Sequence, residues 1–268
     1  MKKYLLMFVV MLAQAVGAFA DDAAVATFTL KTSKAIGEKI SIEAICVSKT
    51  DPVTVDWGDG GQVEYKPKNS WSSMVYADGE VKAQAITVTG KIKELTIKSA
   101  GLTSFEATGA SVLEKLYLNK NELTGIRLNG MPALKYFNAD NNQIVSEGLD
   151  ISEVAPTVTD LSLRYNQLTT LDIRQFSSLN YFYADHNPDL TTVLFTDGSK
   201  SLKSIDMSSC HIMHFYAISL PNLNTLNLND NALIDDDYTV SFEDGDYPNL
   251  HTLGLANNHI SVVNLAHY

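Results

Sequence analysis

The sequence predicts a mainly β protein: a repeat solenoid of about eight coils with little α-helix, preceded by a small N-terminal β module. Three observations predict it. One template, with leucine at positions one, four, six and eleven and asparagine at nine, recurs through residues 91–268. The second halves of several copies carry another apolar pattern that lacks the spacing of an amphipathic helix. Residues 21–90 alternate β-branched side chains with Gly, Asp and Pro, the pattern of short strands joined by turns.

The clearest copy, LEKLYLNKNEL, opens at Leu113. Others open at Leu134, Val158, Leu179, Leu202, Leu223 and Leu250, and a degenerate first copy, IKELTIKSAGL, opens at Ile92. Position nine holds Ala100, Asn121, Asn142, Asn166, Asn187, Cys210, Asn231 and Asn258, spaced by 21, 21, 24, 21, 23, 21 and 27 residues. Alternating apolar residues turn one strand face inward. The asparagine then enters the tube where the chain bends, and its amide can satisfy backbone groups of neighbouring coils. Left unpaired, such groups cost roughly 1–3 kcal/mol each. Asn121, Asn142, Asn166, Asn187, Asn231 and Asn258 are therefore expected to form a structural ladder, with Cys210 in phase with them. The second pattern, as in LTTLDIRQFSSL from Leu168, LTGIRLNGMPAL from Leu123 and LTTVLFTDGSKSL from Leu190, adds a second ridge to these coils. Two ridges imply a flattened tube with extended chain on both sides, stabilised by stacking of neighbours.

This template resembles the leucine-rich-repeat family over about two thirds of the chain. Its short form, LxxLxLxxNxLTxLDI with a base period of 21, is similar to the repeats of internalin-like bacterial surface proteins. The resemblance implies that cysteine is an ordinary substitute for the ladder asparagine, so that Cys210 is expected as a buried structural thiol of the ladder, and that the protein mediates protein–protein contact or adhesion. In the preceding module, Val55-Asp56-Trp57-Gly58-Asp59-Gly60 resembles the WGDG signature of PKD-type immunoglobulin-like domains, and Val75-Tyr76-Ala77-Asp78-Gly79 resembles a later strand of that family. Asp56 and Asp59 read first as hairpin-turn residues, with calcium ligation as the alternative. The module is expected to cap the open first coil, where an asparagine at Ala100 would have no preceding coil to join.

The N-terminus, with Lys2-Lys3, an apolar run from Leu5 to Ala18 and Ala18-Phe19-Ala20, reads as a secretory signal peptide of residues 1–20, cleaved after Ala20. The expected organisation is thus leader 1–20, module 21–90 and solenoid 91–268. Export would place the mature chain outside the cytoplasm, secreted or at the cell surface or periplasm, with no transmembrane segment and no cysteine for lipid attachment at its start. Tyr268 follows the last template directly, so either Val262 to Tyr268 finishes the stack or the natural chain continues. Loss of Lys2 and Lys3 leaves 18 basic against 31 acidic residues, a net charge of −13. That charge repels nucleic acid and anionic membranes. Two cysteines, Cys46 and Cys210, exclude a disulfide-stapled scaffold and are not expected to pair.

Template positions three, five, seven and eight point away from the core, so the outward residues fall into columns. Coils two to five concentrate large groups there. Tyr117, Tyr136, Tyr165, Tyr181, Tyr183 and His186 would share one face with Asn138, and Arg164 would lie between Asp140 and Asp185. Tyrosine and arginine enrichment marks recognition surfaces. The competing reading is that tyrosine simply suits strands and Arg164 neutralises its aspartates. The acidic insertion carrying Asp235, Asp236, Asp237, Glu243, Asp244 and Asp246 reads first as a solvated loop, with calcium as the alternative. No nucleophile elbow, phosphate-cradling loop or zinc pattern is present, His211 and His214 lack a third ligand nearby in sequence, and no cofactor is expected. The chain therefore reads as a non-enzymatic, macromolecule-binding protein. A host or neighbouring-cell protein is the expected partner, a glycan bound on the same tyrosines the alternative, and a ligand-free envelope scaffold a third reading.

Overall fold

A computed structural model describes residues 24–69, 71–196, 198–215, 219–234, 247–261 and 263. The expected leader, the six candidate calcium carboxylates of the acidic insertion and the last residues of the chain lie outside these. Alternation sets the first strands: β1 (Ala26–Thr32) buries Ala26, Phe28 and Leu30, and β2 (Lys39–Cys46) buries Ile40, Ile42, Ala44 and Cys46. They are followed by β3 (Val53–Asp56), β4 (Gln62–Tyr65), β5 (Met74–Glu80) and β6 (Ala85–Gly90). One sheet runs in the order β4-β3-β6-β1, all antiparallel, while β5 pairs with β2 in another. Between the layers lie Phe28, Trp57 and Val88.

The first repeat copy provides β7 (Ile92–Thr96) and β8 (Leu102–Thr108), and these join the two module sheets directly. β7 pairs antiparallel with β2, and β8 pairs antiparallel with β1. Thr32 donates its hydroxyl to Ala100 O at 2.6 Å, which ties the module to the first coil. The WGDG turn is built from its own side chains. Asp56 Oδ1 accepts the Gly58 and Gly60 N–H groups, Asp59 pairs with Lys82, and the buried Trp57 donates Nε1–H to Tyr65 Oη. Gly79 is required by close approach, because a Cβ there would overlap the Trp57 indole.

Beyond this point follow β9 (Lys115–Tyr117), β10 (Ile126–Arg127), β11 (Tyr136–Asn138), β12 (Leu149–Asp150), β13 (Asp160–Ser162), β14 (Thr170–Asp172), β15 (Tyr181–Tyr183), β16 (Thr192–Leu194), β17 (Ser204–Asp206), β18 (Thr225–Asn227) and β19 (Thr252–Gly254). β7, β9, β11, β13, β15, β17, β18 and β19 form one parallel ladder in that order. On the opposite wall β10 pairs with β12, and β14 with β16, so the chain is extended on both sides of the tube. The protein is mainly β: among the described residues the only helical segment is a 3₁₀ turn at Ser146–Gly148. No helix among these residues is long and apolar enough to cross a membrane. The fold is a leucine-rich-repeat-like β-solenoid, with about six full turns where the sequence gives about eight template copies. The difference arises at the ends: the first copy is built into the module sheets, and the last is described little beyond its strand.

Each coil leaves its ladder strand through a residue in the left-handed region. Ser99, Lys120, Asn141, Tyr165, His186, Ser209, Asp230 and Asn257 all have φ between 53° and 59°, and none is glycine. This reversal sends the next residue into the tube. Asn166 shows the result: its Nδ2 donates to Ala139 O of the preceding coil and Leu163 O of its own, while Oδ1 accepts the Ile144 N–H. Asn121, Asn142, Asn187, Asn231 and Asn258 bridge coils in the same way. At Cys210 the preceding coil has two residues between Asn187 and Leu190 where the other asparagines have one. There Leu190 N–H bonds to Asn187 O, removing a donor that the other coils offer to an asparagine oxygen. The thiol, expected to be buried, is half-buried, and it donates to Ala184 O at 3.4 Å. Cys46 and Cys210 are free thiols in separate parts of the molecule.

Candidate functional site

Every ladder strand from β9 to β18 is three residues long, with a buried centre and flanks turned outward. Register stacks the flanks into two columns. One reads Lys115, Tyr136, Asp160, Tyr181, and the other reads Tyr117, Asn138, Ser162, Tyr183. In the second column two large rings bracket two short side chains. With strands about 4.8 Å apart, Tyr117 and Tyr183 stand roughly 14 Å apart across a floor of Asn138 and Ser162. The result is a concavity of about 400 Å³, walled by Tyr117, Tyr136 and Tyr183 and floored by Asn138, Ser162, Asp140 and Asp160, with Arg164 at one side. That volume falls within the range of about 300–1,000 Å³ usual for ligand sites.

Each wall tyrosine receives a cation from a neighbouring coil. Lys98 Nζ lies 5.7 Å from the Tyr117 ring centre, Lys115 Nζ 5.3 Å from that of Tyr136, and the Arg164 guanidinium carbon 4.3 Å from that of Tyr183. Such contacts stabilise by about 0.5–1 kcal/mol at exposed sites and bias the rings toward these orientations. Lys115 is also paired with Glu94 at 2.9 Å, and this hydrogen-bonded partner is the first cause of its raised pKa. Burial raises the pKa of the Tyr117 phenol.

Asp140 and Asp185 play different parts from those expected of them. Arg164 does not bridge both. Its Nε lies 2.8 Å from Asp185 Oδ1, an ion pair without the angle of a good hydrogen bond. Asp140 instead accepts the Ser162 hydroxyl at 2.6 Å and the Arg164 backbone N–H at 2.9 Å, and its second oxygen accepts the Asn138 amide at 3.0 Å. Asp185, expected on the exposed face, is only 5% exposed, because its carboxylate folds beneath Arg164 and His186. Burial raises its pKa, opposed by the His186 hydrogen bond and then the Arg164 charge. It supports the guanidinium from behind and is not itself a contact residue.

The structure brings Tyr117, Tyr136, Asn138, Asp140, Arg164 and Tyr183 together around the concavity. It adds Asp160 and Ser162, whose only sequence signal is membership of the same columns. Tyr165, Tyr181 and His186 do not line it. Tyr181 is exposed one coil further along its column. Tyr165 and His186 belong to the left-handed turns and stack on each other with ring centres 4.1 Å apart, 20° from parallel. Among the described residues no group of three or more His, Cys, Asp or Glu side chains is placed to hold a metal ion.

Repeat template, parallel ladder and coil-bridging asparagines together define the class, a leucine-rich-repeat-like solenoid. No family model matches the chain, and no curated protein does. Among solved structures it is similar to the functional domain of InlJ from Listeria monocytogenes, which includes a cysteine ladder. Identity is 19% and the TM-score 0.49, over 69% of this chain and 44% of that one. The chain thus spans less than half the length of that protein chain.

Proposed function

We propose that this is an exported, non-enzymatic protein that binds another protein at a cell surface through the outward face of its parallel ladder. One observation carries the reading: tyrosines from three coils surround one concavity, each with a cation of a neighbouring coil beside its ring. Rigid tyrosines bury large area on contact at little entropic cost. Coils six to eight carry Ser204, Asp206, Thr225, Asn227, Thr252 and Gly254 at the corresponding positions, so aromatic surface is concentrated near the middle of the array. The PKD-like module caps the tube, and the N-terminal leader supports export.

A glycan is the second reading, favoured by tyrosine rings set beside the hydrogen-bonding floor of Asn138, Asp140 and Ser162. Arrays of extracellular proteins and of glycans, probed with the wild-type protein and with Tyr117→Ala/Tyr183→Ala, test both. A protein hit lost in the double variant is the expected result. A sugar hit lost in the same variant promotes the second reading, and hits unaffected by the substitutions contradict the assignment of the face.

A further inference from the structure

We infer that the concavity between Tyr117 and Tyr183 seats a basic side chain, arginine or lysine, of the protein partner; this rests on the protein-binding reading above. Charge pairing around the floor is the main argument. Arg164 is neutralised by Asp185 at 2.8 Å and Lys115 by Glu94 at 2.9 Å. Asp140 and Asp160 both line the concavity, and among the described residues neither has a cation partner. Two carboxylates thus lie in one recess without an ion-pair partner, against a single cation over its rings, Lys98 at Tyr117, that is likewise in none. Neutral donors fix their orientation: Ser162 and Asn138 side chains and the Arg164 N–H on Asp140, and the Thr159 hydroxyl on Asp160 at 2.6 Å.

The walls suit the same ligand. The face of a tyrosine ring attracts cations, and this surface already places one of its own over each of Tyr117, Tyr136 and Tyr183. A neutral sugar could use the rings and the acceptors, but it would leave the two carboxylates without a counter-charge. The chain's formal net charge of −11 acts in the same direction by steering a basic partner toward it.

The test is an amide NMR titration of the protein with N-acetyl-arginine methylamide, its isosteric neutral citrulline analogue and methyl β-glucoside, each at millimolar concentration. Expected are shifts at Asn138, Ser162 and Arg164 with the arginine probe, at least about tenfold weaker binding of the citrulline analogue, and a similar loss in Asp160→Asn. In that variant the Thr159 hydroxyl keeps an acceptor, so the fold is retained. Equal response to arginine and citrulline, response to the glucoside alone, or no response to any probe overturns the inference. A protein partner lost in Tyr117→Ala/Tyr183→Ala but bound fully by Asp160→Asn keeps the face and discards the basic side chain.

Discussion

At Asn166 one amide makes two donor contacts and one acceptor contact to buried backbone; alanine would strand the buried Ile144 N–H and leave Ala139 O and Leu163 O only the amides of Asn142 and Asn187. Asn166→Ala is therefore expected to lower stability by at least about 2 kcal/mol in urea unfolding. Cys210→Ala, which loses a weak S–H donor, should cost about 1 kcal/mol; an equal loss at both sites would contradict the asymmetry between amide and thiol. Burial is the first cause pushing the Cys46 thiol up to about 11 and the Cys210 thiol up to about 12. The reactive species is the thiolate, so both should resist iodoacetamide at pH 8 while folded and react once unfolded. Ladder positions are legible in the sequence because asparagine or cysteine recurs in phase with the leucines. The left-handed residue before each of them is not, since serine, lysine, tyrosine and histidine occupy it in five coils and asparagine or aspartate in three, where glycine throughout would have given the signal. The burial of Asp185 leaves no such mark either: Asp140 and Arg164 hold the same template position and stay part-exposed, and Asp185 is covered by Arg164 and His186.

Elements of this fold stand only through their neighbours. Leu163 is fully buried between coils, and Leu163→Ala should cost about 2–5 kcal/mol and lower amide-exchange protection in the adjacent coils as well as its own. Protection lost in one coil alone would argue against stacking as the source of stability. The N-terminal module works at the same scale, because β2 and β1 continue both sheets of the first coil. A chain beginning at Lys91 leaves β7 and β8 with open edges, and it is expected to lose cooperative thermal unfolding or to aggregate. Two ridges per coil and the strands of the module are legible from apolar alternation. Fusion of the module into both walls is not, because partner choice between strands far apart in sequence leaves no periodic mark.

Across the whole molecule, bulky outward residues gather on coils two to five of one wall. This distribution is legible once the repeats are aligned, since Tyr117, Asn138, Ser162 and Tyr183 form a single column. The cations over the rings and the unpaired carboxylates beneath them emerge only when neighbouring coils are placed side by side. The opposite wall offers a control surface, where the exposed Thr170 and Thr192 sit paired on β14 and β16. Flow cytometry of fluorescently labelled protein on intact cells, comparing wild type, Tyr117→Ala/Tyr183→Ala and Thr170→Ala/Thr192→Ala at matched thermal stability, tests the central claim most directly. Cell binding reduced at least about tenfold in the tyrosine variant and kept in the threonine variant is the expected result; equal binding by all three proteins, or loss in the threonine variant alone, would contradict it.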